Sequence, residues 1–315
     1  HTEDGLLRRW GGPWDYLADW LWPGATAEGM NNAKPQAECF NSCYYAFNLA
    51  TAAKIARVLG NDNRAREWDG RADEVRRSVH AKYYNADDNS YSDRSMGNLV
   101  LALIGEVPPA GLKEKVMQRL EHEILVSCNG HIDVGITGGA MLFKLLREAG
   151  RDDLLYTMTS KTDYPGWGYM RANDATTIWE MWEKDLAGHS LLHSSYLYPG
   201  AWYIDGVAGI RRDPEAPGFQ RFYVRTPRLD EPQMSWARAS FDSPAGTIKS
   251  SWKREGGLLT HEVTVPANTT AVVCIPESPS LQVVRGAVHA VPAGMRDGYR
   301  LFEVPAGSYV FTAAE

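Results

Sequence analysis

The hydrophobic period of this chain changes near Arg211, and that change limits the folds open to it. Upstream, apolar residues recur at helical spacing. The spacing predicts helices over 34–60, 62–84, 94–105, 111–126, 136–149, 151–160 and 192–208, with Gly60 and the Pro108-Pro109 pair as breaks. Downstream of the breaker cluster Asp213-Pro214-Glu215-Ala216-Pro217-Gly218, the runs FYVR, ARASFD, TIKSSWKRE, LLTHEVTVP and TAVVCIP alternate with period two, as strands do. Glu255-Gly256-Gly257 and Pro305-Ala306-Gly307 read as hairpin turns. The chain therefore reads as multi-domain α plus β, with antiparallel helices over 1–209 and an antiparallel β-sandwich over 210–315.

Chemistry concentrates in Tyr164–Glu183, YPGWGYMRANDATTIWEMWE, where Trp, Tyr and Glu cluster beside a Pro- and Gly-containing loop. Such clusters suit a sugar ring, because aromatic faces cover C–H surfaces and a carboxylate can activate water at the anomeric carbon. Glu180 is the first candidate. A helix starting at Ile178–Trp182 with Thr177 as N-cap would place Glu180 in the first turn, where the helix dipole favours the ionised carboxylate a general base needs. The same spacing also describes an ordinary capping box. Trp167 and Trp179 are candidate stacking platforms, Tyr164 a hydroxyl donor, and Asp19-Trp20 a further sugar-binding pair. Glu183 reads as a solvated residue, and Trp182 as core.

The net charge of −6 argues against nucleic acid or an anionic membrane as partner, and no apolar run reaches membrane-spanning length. Cys39, Cys43, Cys128 and Cys274 lack zinc spacing and read as free thiols, which leans towards a reducing compartment without fixing the localisation. No metal constellation, cofactor motif or GxSxG elbow is visible.

From Gly130-His131 through Gly135, Gly150-Arg151-Asp152 and YPGWGY to ATTIWEMW, the chain resembles family 78 glycoside hydrolases, the inverting α-L-rhamnosidases. Asp19-Trp20 is similar to that family's GDW segment, and Ser190–His193 to its SxNH segment. The resemblance implies the second part of an (α/α)6 toroid followed by a β-sandwich. It implies hydrolysis of terminal α-L-rhamnosides with inversion, with Glu180 activating water and Asp19, Trp20, Tyr164, Trp167, Trp179 and His193 shaping the sugar site. Three residues depart from the family's pattern: Asp174 stands for Gly, Met181 for Arg and Leu192 for Asn.

The acid that protonates the leaving group has no counterpart in the first 20 residues, so the resemblance implies a Glu upstream of His1. About seven helices are also too few for a closed toroid. A substitute acid at Asp15, Asp19, Glu28 or Glu38 is disfavoured. The expected partners are a rhamnose-containing glycoside or polysaccharide and an upstream segment of the same protein. Alternatives are a non-catalytic carbohydrate-binding fragment, another (α/α)6 glycosidase, or a polysaccharide lyase.

Overall fold

A computed structural model describes residues 5–7, 17–25, 35–184, 189–229 and 233–314. The chain forms two compact units: 1–149 with 154–198, and 150–153 with 199–315.

The first unit is helical. Helix α1 (Pro35–Val58) buries Cys39, Cys43, Ala46, Ala53 and Ala56 along one stripe, and α2 (Asp62–Tyr83) returns antiparallel with Ala65, Ala72, Val75 and Val79 inward. Small residues on both stripes let the backbones approach, and Trp68 covers the Ala53–Ala56–Ala65 contact. The turn between them follows from Gly60, which is left-handed (φ +73°) and donates to Arg57 O, while Asn61 N donates to Ala56 O. Asn61 then caps α2 by accepting from Arg64 N. After the short ribbon β1 (Tyr84–Asn85) and β2 (Ser90–Tyr91), helix α3 (Met96–Ile104) is buried on every side. Its sequence, MGNLVLALI, has no polar face because it packs against both α1 and α5 (Ile136–Glu148). Helix α4 (Ala110–His122) precedes α5 and continues into a π-turn, Glu123–Ser127. Helices α6 (Asp152–Thr159) and α7 (Trp167–Ala172) follow it.

Two helical expectations fail. Residues 178–182 are not helical, and the helix expected over 192–208 is reduced to α8 (Pro199–Trp202) with a π-turn, Tyr203–Val207. Pro199 can open a helix but cannot continue one. The backbone upstream of it is instead spent on pairing with 177–180.

The second unit contains two five-stranded sheets. One has the order β10 (Val291–Arg296), β11 (Tyr299–Val304), β8 (Thr270–Pro276), β4 (Arg221–Arg225), β3 (Ile210–Arg212). The other runs β5 (Trp236–Ser243), β6 (Gly246–Glu255), β7 (Leu258–Val265), β12 (Gly307–Ala314), β9 (Gln282–Arg285). All pairs are antiparallel except β4 with β8. The rings of Phe302 on β11 and Phe311 on β12, 5.2 Å apart, join the two sheets across the core. The Gly256-Gly257 turn forms as expected, with positive φ at both residues. Pro305-Ala306-Gly307 does not make a hairpin. It carries the chain from one sheet to the other, since β11 pairs with β8 and β12 with β7.

Inward positions on β6 and β7 include Ser250, Arg254 and His261. Ser250 Oγ donates to Ala208 O (2.6 Å), so it accepts from His261 Nε2–H (2.9 Å). Nδ1 of His261 is then left to accept from Thr226 Oγ1 (2.9 Å). This network fixes a neutral tautomer, and burial pushes the imidazole down to about 3. Asp152 is buried in the same unit, accepting from Trp202 Nε1 (2.9 Å) and pairing with Arg225 (3.0 Å).

Candidate active site

The segment holding Glu180 is an extended strap paired with 190–193. Glu180 N donates to Ser190 O (2.9 Å), His193 N donates to Ile178 O (2.8 Å), and Thr177 Oγ1 donates to Leu191 O. Thr177 is thus not a helix cap, and Glu180 gains no helix dipole. Its carboxylate is oriented instead by Ser190 N, which donates to Oε2 (2.8 Å), while Oε1 makes no hydrogen bond among the described residues. A partly exposed carboxylate with one oxygen fixed and the other open can accept a proton from water.

An aromatic column anchors the strap. Trp182 is fully buried, donates through Nε1 to Val134 O (3.1 Å) and stacks on Tyr196 at 4.0 Å. Tyr196 OH donates to Leu21 O (2.6 Å), and Trp167 meets Trp182 edge-on and donates to Tyr196 O (3.0 Å). Trp179, with 3% of its surface open, packs edge-on against Tyr169 and has a core position here. Trp167 and Trp20 are part-exposed, Tyr164 more so. His193 is exposed and its Nδ1 bonds Ser195 Oγ (2.5 Å), which orients the ring although Leu192 stands where the family has Asn.

Glu183 is not a solvated side chain. Its Oε1 accepts from Gly24 N (2.6 Å) and from Tyr164 OH, while Oε2 is buried without a partner. One carboxylate therefore ties the strap, the 21–25 segment and the YPGWGY loop together. The spacing did not show this, because these segments are remote from one another in sequence.

Asp19 is placed by the start of α5. Its two oxygens accept from Gly135 N (2.7 Å) and Gly138 N (2.8 Å), and a Cβ on Gly138 would collide with the carboxylate. Burial drives the Asp19 carboxyl up to about 6, against those two bonds and with a further push from Asp133. Its oxygens are taken up by backbone amides, and the residue is buried. Of the other acids weighed from sequence, Asp15 and Glu28 lie outside the described residues. Glu38 pairs with Lys82 (2.6 Å) and takes a hydrogen bond from Tyr83. Asp174, in the family's Gly position, has φ +64°, the left-handed conformation that Gly adopts freely. Among the described residues no group of His, Cys, Asp and Glu could hold a metal, and no helix is long and apolar enough to cross a membrane.

Comparison with known proteins identifies the family and the fold. Residues 1–207 match the bacterial α-L-rhamnosidase 6-hairpin glycosidase domain, and residues 209–290 match the bacterial α-L-rhamnosidase C-terminal domain. The chain belongs to the bacterial α-L-rhamnosidase family. An α-L-rhamnosidase of Streptomyces avermitilis is 28% identical over 318 aligned residues, covering 98% of this chain and 29% of the relative. One from an Alteromonas species is 28% identical over 266 residues, 81% of this chain and 28% of the relative. Among solved structures, the Streptomyces avermitilis α-L-rhamnosidase complexed with L-rhamnose superimposes with a TM-score of 0.83 at 26% identity, covering 99% of this chain and 29% of that one. The α-L-rhamnosidase from Dictyoglumus thermophilum gives 0.84 at 21% identity over 100% of this chain and 35% of that one, a likeness of fold. The chain thus spans less than a third of the length of the curated relatives it matches, and its architecture is part of a helical toroid followed by a β-sandwich.

Proposed function

We propose that this chain is the base-bearing part of an enzyme that hydrolyses terminal α-L-rhamnosides with inversion. The observation that carries the reading is Glu180: one carboxylate oxygen is held by Ser190 N and the other is open, on a strap locked by Trp182. In this reading Glu180 Oε1 takes a proton from water as that water attacks the anomeric carbon. Inversion requires a second carboxyl group on the opposite face, about 6.5–9.5 Å away. Glu183 cannot be that group, because it lies three residues along the same strap and is committed to Gly24 and Tyr164. In this reading the acid comes from a part of the enzyme that this chain, under a third of its relatives' length, does not span. In this reading Trp20, Trp167, Tyr164, Asp19 and the exposed His193 contribute to the sugar site. Residues 1–209 are the catalytic part and 210–315 the sandwich domain.

The test is hydrolysis of an aryl α-L-rhamnoside by the whole protein, with the first-formed sugar followed by NMR. The β-anomer of L-rhamnose is expected first, and Glu180→Gln should lower kcat by about 10²–10⁴. Release of the α-anomer, or a Glu180→Gln protein that turns over at the parent rate, would sink the reading.

A further inference from the structure

The segment 130–136 touches three separate pieces of the candidate sugar site. Val134 O accepts from Trp182 Nε1 on the Glu180 strap (3.1 Å). Gly135 N donates to Asp19 Oδ2 (2.7 Å), and Ile136 N donates to Trp20 O (2.7 Å). In these contacts the segment uses backbone atoms. The third piece, the loop Asp163–Trp167, is reached through a side chain: His131 Nε2 donates to Asp163 Oδ1 (2.8 Å). That loop carries Tyr164 and Trp167, whose polar atoms bond Glu183 and Tyr196 O. Glu183 and Tyr196 thus hold the two rings, and His131 holds the entry to the loop.

The segment is built to keep its place. Ile132 and Val134 are fully buried. Gly130 turns the chain with φ +76°, and a Cβ there would lie 2.8 Å from Thr157 Cγ2 and 2.9 Å from Lys161 Cε. His131 is 9% exposed, and its Nδ1 faces Cys128 O at 3.1 Å. A carbonyl and an ionised carboxylate can only accept, so the arrangement uses both ring nitrogens as donors. The bond from His131 holds the Asp163 carboxyl below the usual carboxylate range, and the charge of Lys161 adds to that shift. The Asp163 side chain is 73% exposed. A pair between two mobile surface groups is worth little. Here the ring is fixed by burial and by Cys128 O, so the bond restrains the loop.

We propose that His131 is a positioning residue, which sets the entry of the Asp163–Trp167 loop, and with it Tyr164 and Trp167, against the strap that carries Glu180. The proposal rests on the rhamnoside reading above, which assigns those two rings to the sugar site. His131 itself touches no reacting atom. Glu180 is oriented through Ser190 N and its strap through Trp182, by contacts that do not use the His131 ring. Loss of the His131–Asp163 bond therefore loosens the grip on the sugar and spares the proton transfer. Binding lost equally from ground state and transition state raises KM at constant kcat.

The experiment is steady-state hydrolysis of an aryl α-L-rhamnoside by the whole protein, with calorimetric titration of L-rhamnose into its Glu180→Gln form. Two amides separate the two ring nitrogens. Asn at 131 keeps a donor near the Nδ1 position and falls short of Asp163, whereas Gln reaches the Nε2 position. His131→Asn should raise KM and weaken L-rhamnose about tenfold, with kcat kept within about twofold. His131→Gln should restore both to within about threefold of the parent. Asp163→Ala, at an exposed position that does not endanger folding, should match His131→Asn, and the double variant should be no worse than either alone. Equal damage from Asn and Gln, no effect of Asp163→Ala, or a fall in kcat at constant KM would overturn the proposal, because each is what a merely structural histidine gives. Glu180-dependent hydrolysis with KM unmoved by these substitutions would remove the positioning role alone. L-Rhamnose binding that depends on His131, in a protein that hydrolyses no rhamnoside, would remove the catalytic reading alone. Absence of both binding and hydrolysis would overturn both.

Discussion

The helical unit and the sandwich hold their buried titratable groups with different partners. In the sandwich, His261 is enclosed by Ser250 and Thr226, and both ring nitrogens are used. In the helical unit, Asp19 is buried with its oxygens on backbone amides. Side-chain hydroxyls can rotate to suit the ring they hold, whereas backbone amides are fixed by the helix start that presents them.

The sharpest way to break the comparison is pH. His261 is neutral in the fold and its imidazole is pushed from 6.5 down to about 3. Below pH 6.5 the unfolded chain binds a proton that the folded sandwich refuses, so stability falls as pH falls, by about 4 kcal/mol when pH 3 is reached. Native-state hydrogen exchange of β6 and β7 should report this loss, and His261→Gln should flatten it. Asp19 has the opposite sign. Its folded carboxyl is raised from 3.8 to about 6, so the folded helical unit binds the extra proton between those values. Stability there rises as pH falls from 6 to 3.8, by about 2 kcal/mol. Protection of α5 should rise over that interval and lose the trend in Asp19→Asn. Parallel pH trends in the two units would remove the distinction.

Smaller substitutions sharpen the same contrast. Ser250→Ala leaves His261 Nε2–H and Ala208 O unpaired in a closed site, and should cost about 1–3 kcal/mol in denaturant unfolding. Asp174→Gly, on the strap side, relieves a left-handed residue and should be neutral or stabilise by up to about 1 kcal/mol in the same assay. A loss of stability there would mean that the Asp174 side chain holds the loop.

Apolar spacing and the breaks between segments made six of the seven expected helices legible, most of them as a stripe hidden against a neighbour and α3 as a wholly apolar run. It failed at Ile178–Trp182. The residues there have helical spacing, but Glu180 and Ile178 find backbone partners in Ser190 and His193, and Trp182 is drawn to Val134 and Tyr196. It failed again at Pro305-Ala306-Gly307, where a turn-like triplet crosses between sheets. Local signals specify a turn, but which strand accepts the next one is decided by the whole sheet.

The sequence by itself determined the two-part architecture, the Gly256-Gly257 hairpin and the position of Glu180 in a Trp- and Tyr-rich segment, since each is written in residue type and short-range spacing. Only the tertiary structure decided that Glu180 is oriented by Ser190 rather than by a helix, that Glu183 binds Gly24 and Tyr164, and that Asp19 caps α5. These contacts join residues up to 159 positions apart, and the partner a buried polar group finds depends on which backbone the packed core carries past it.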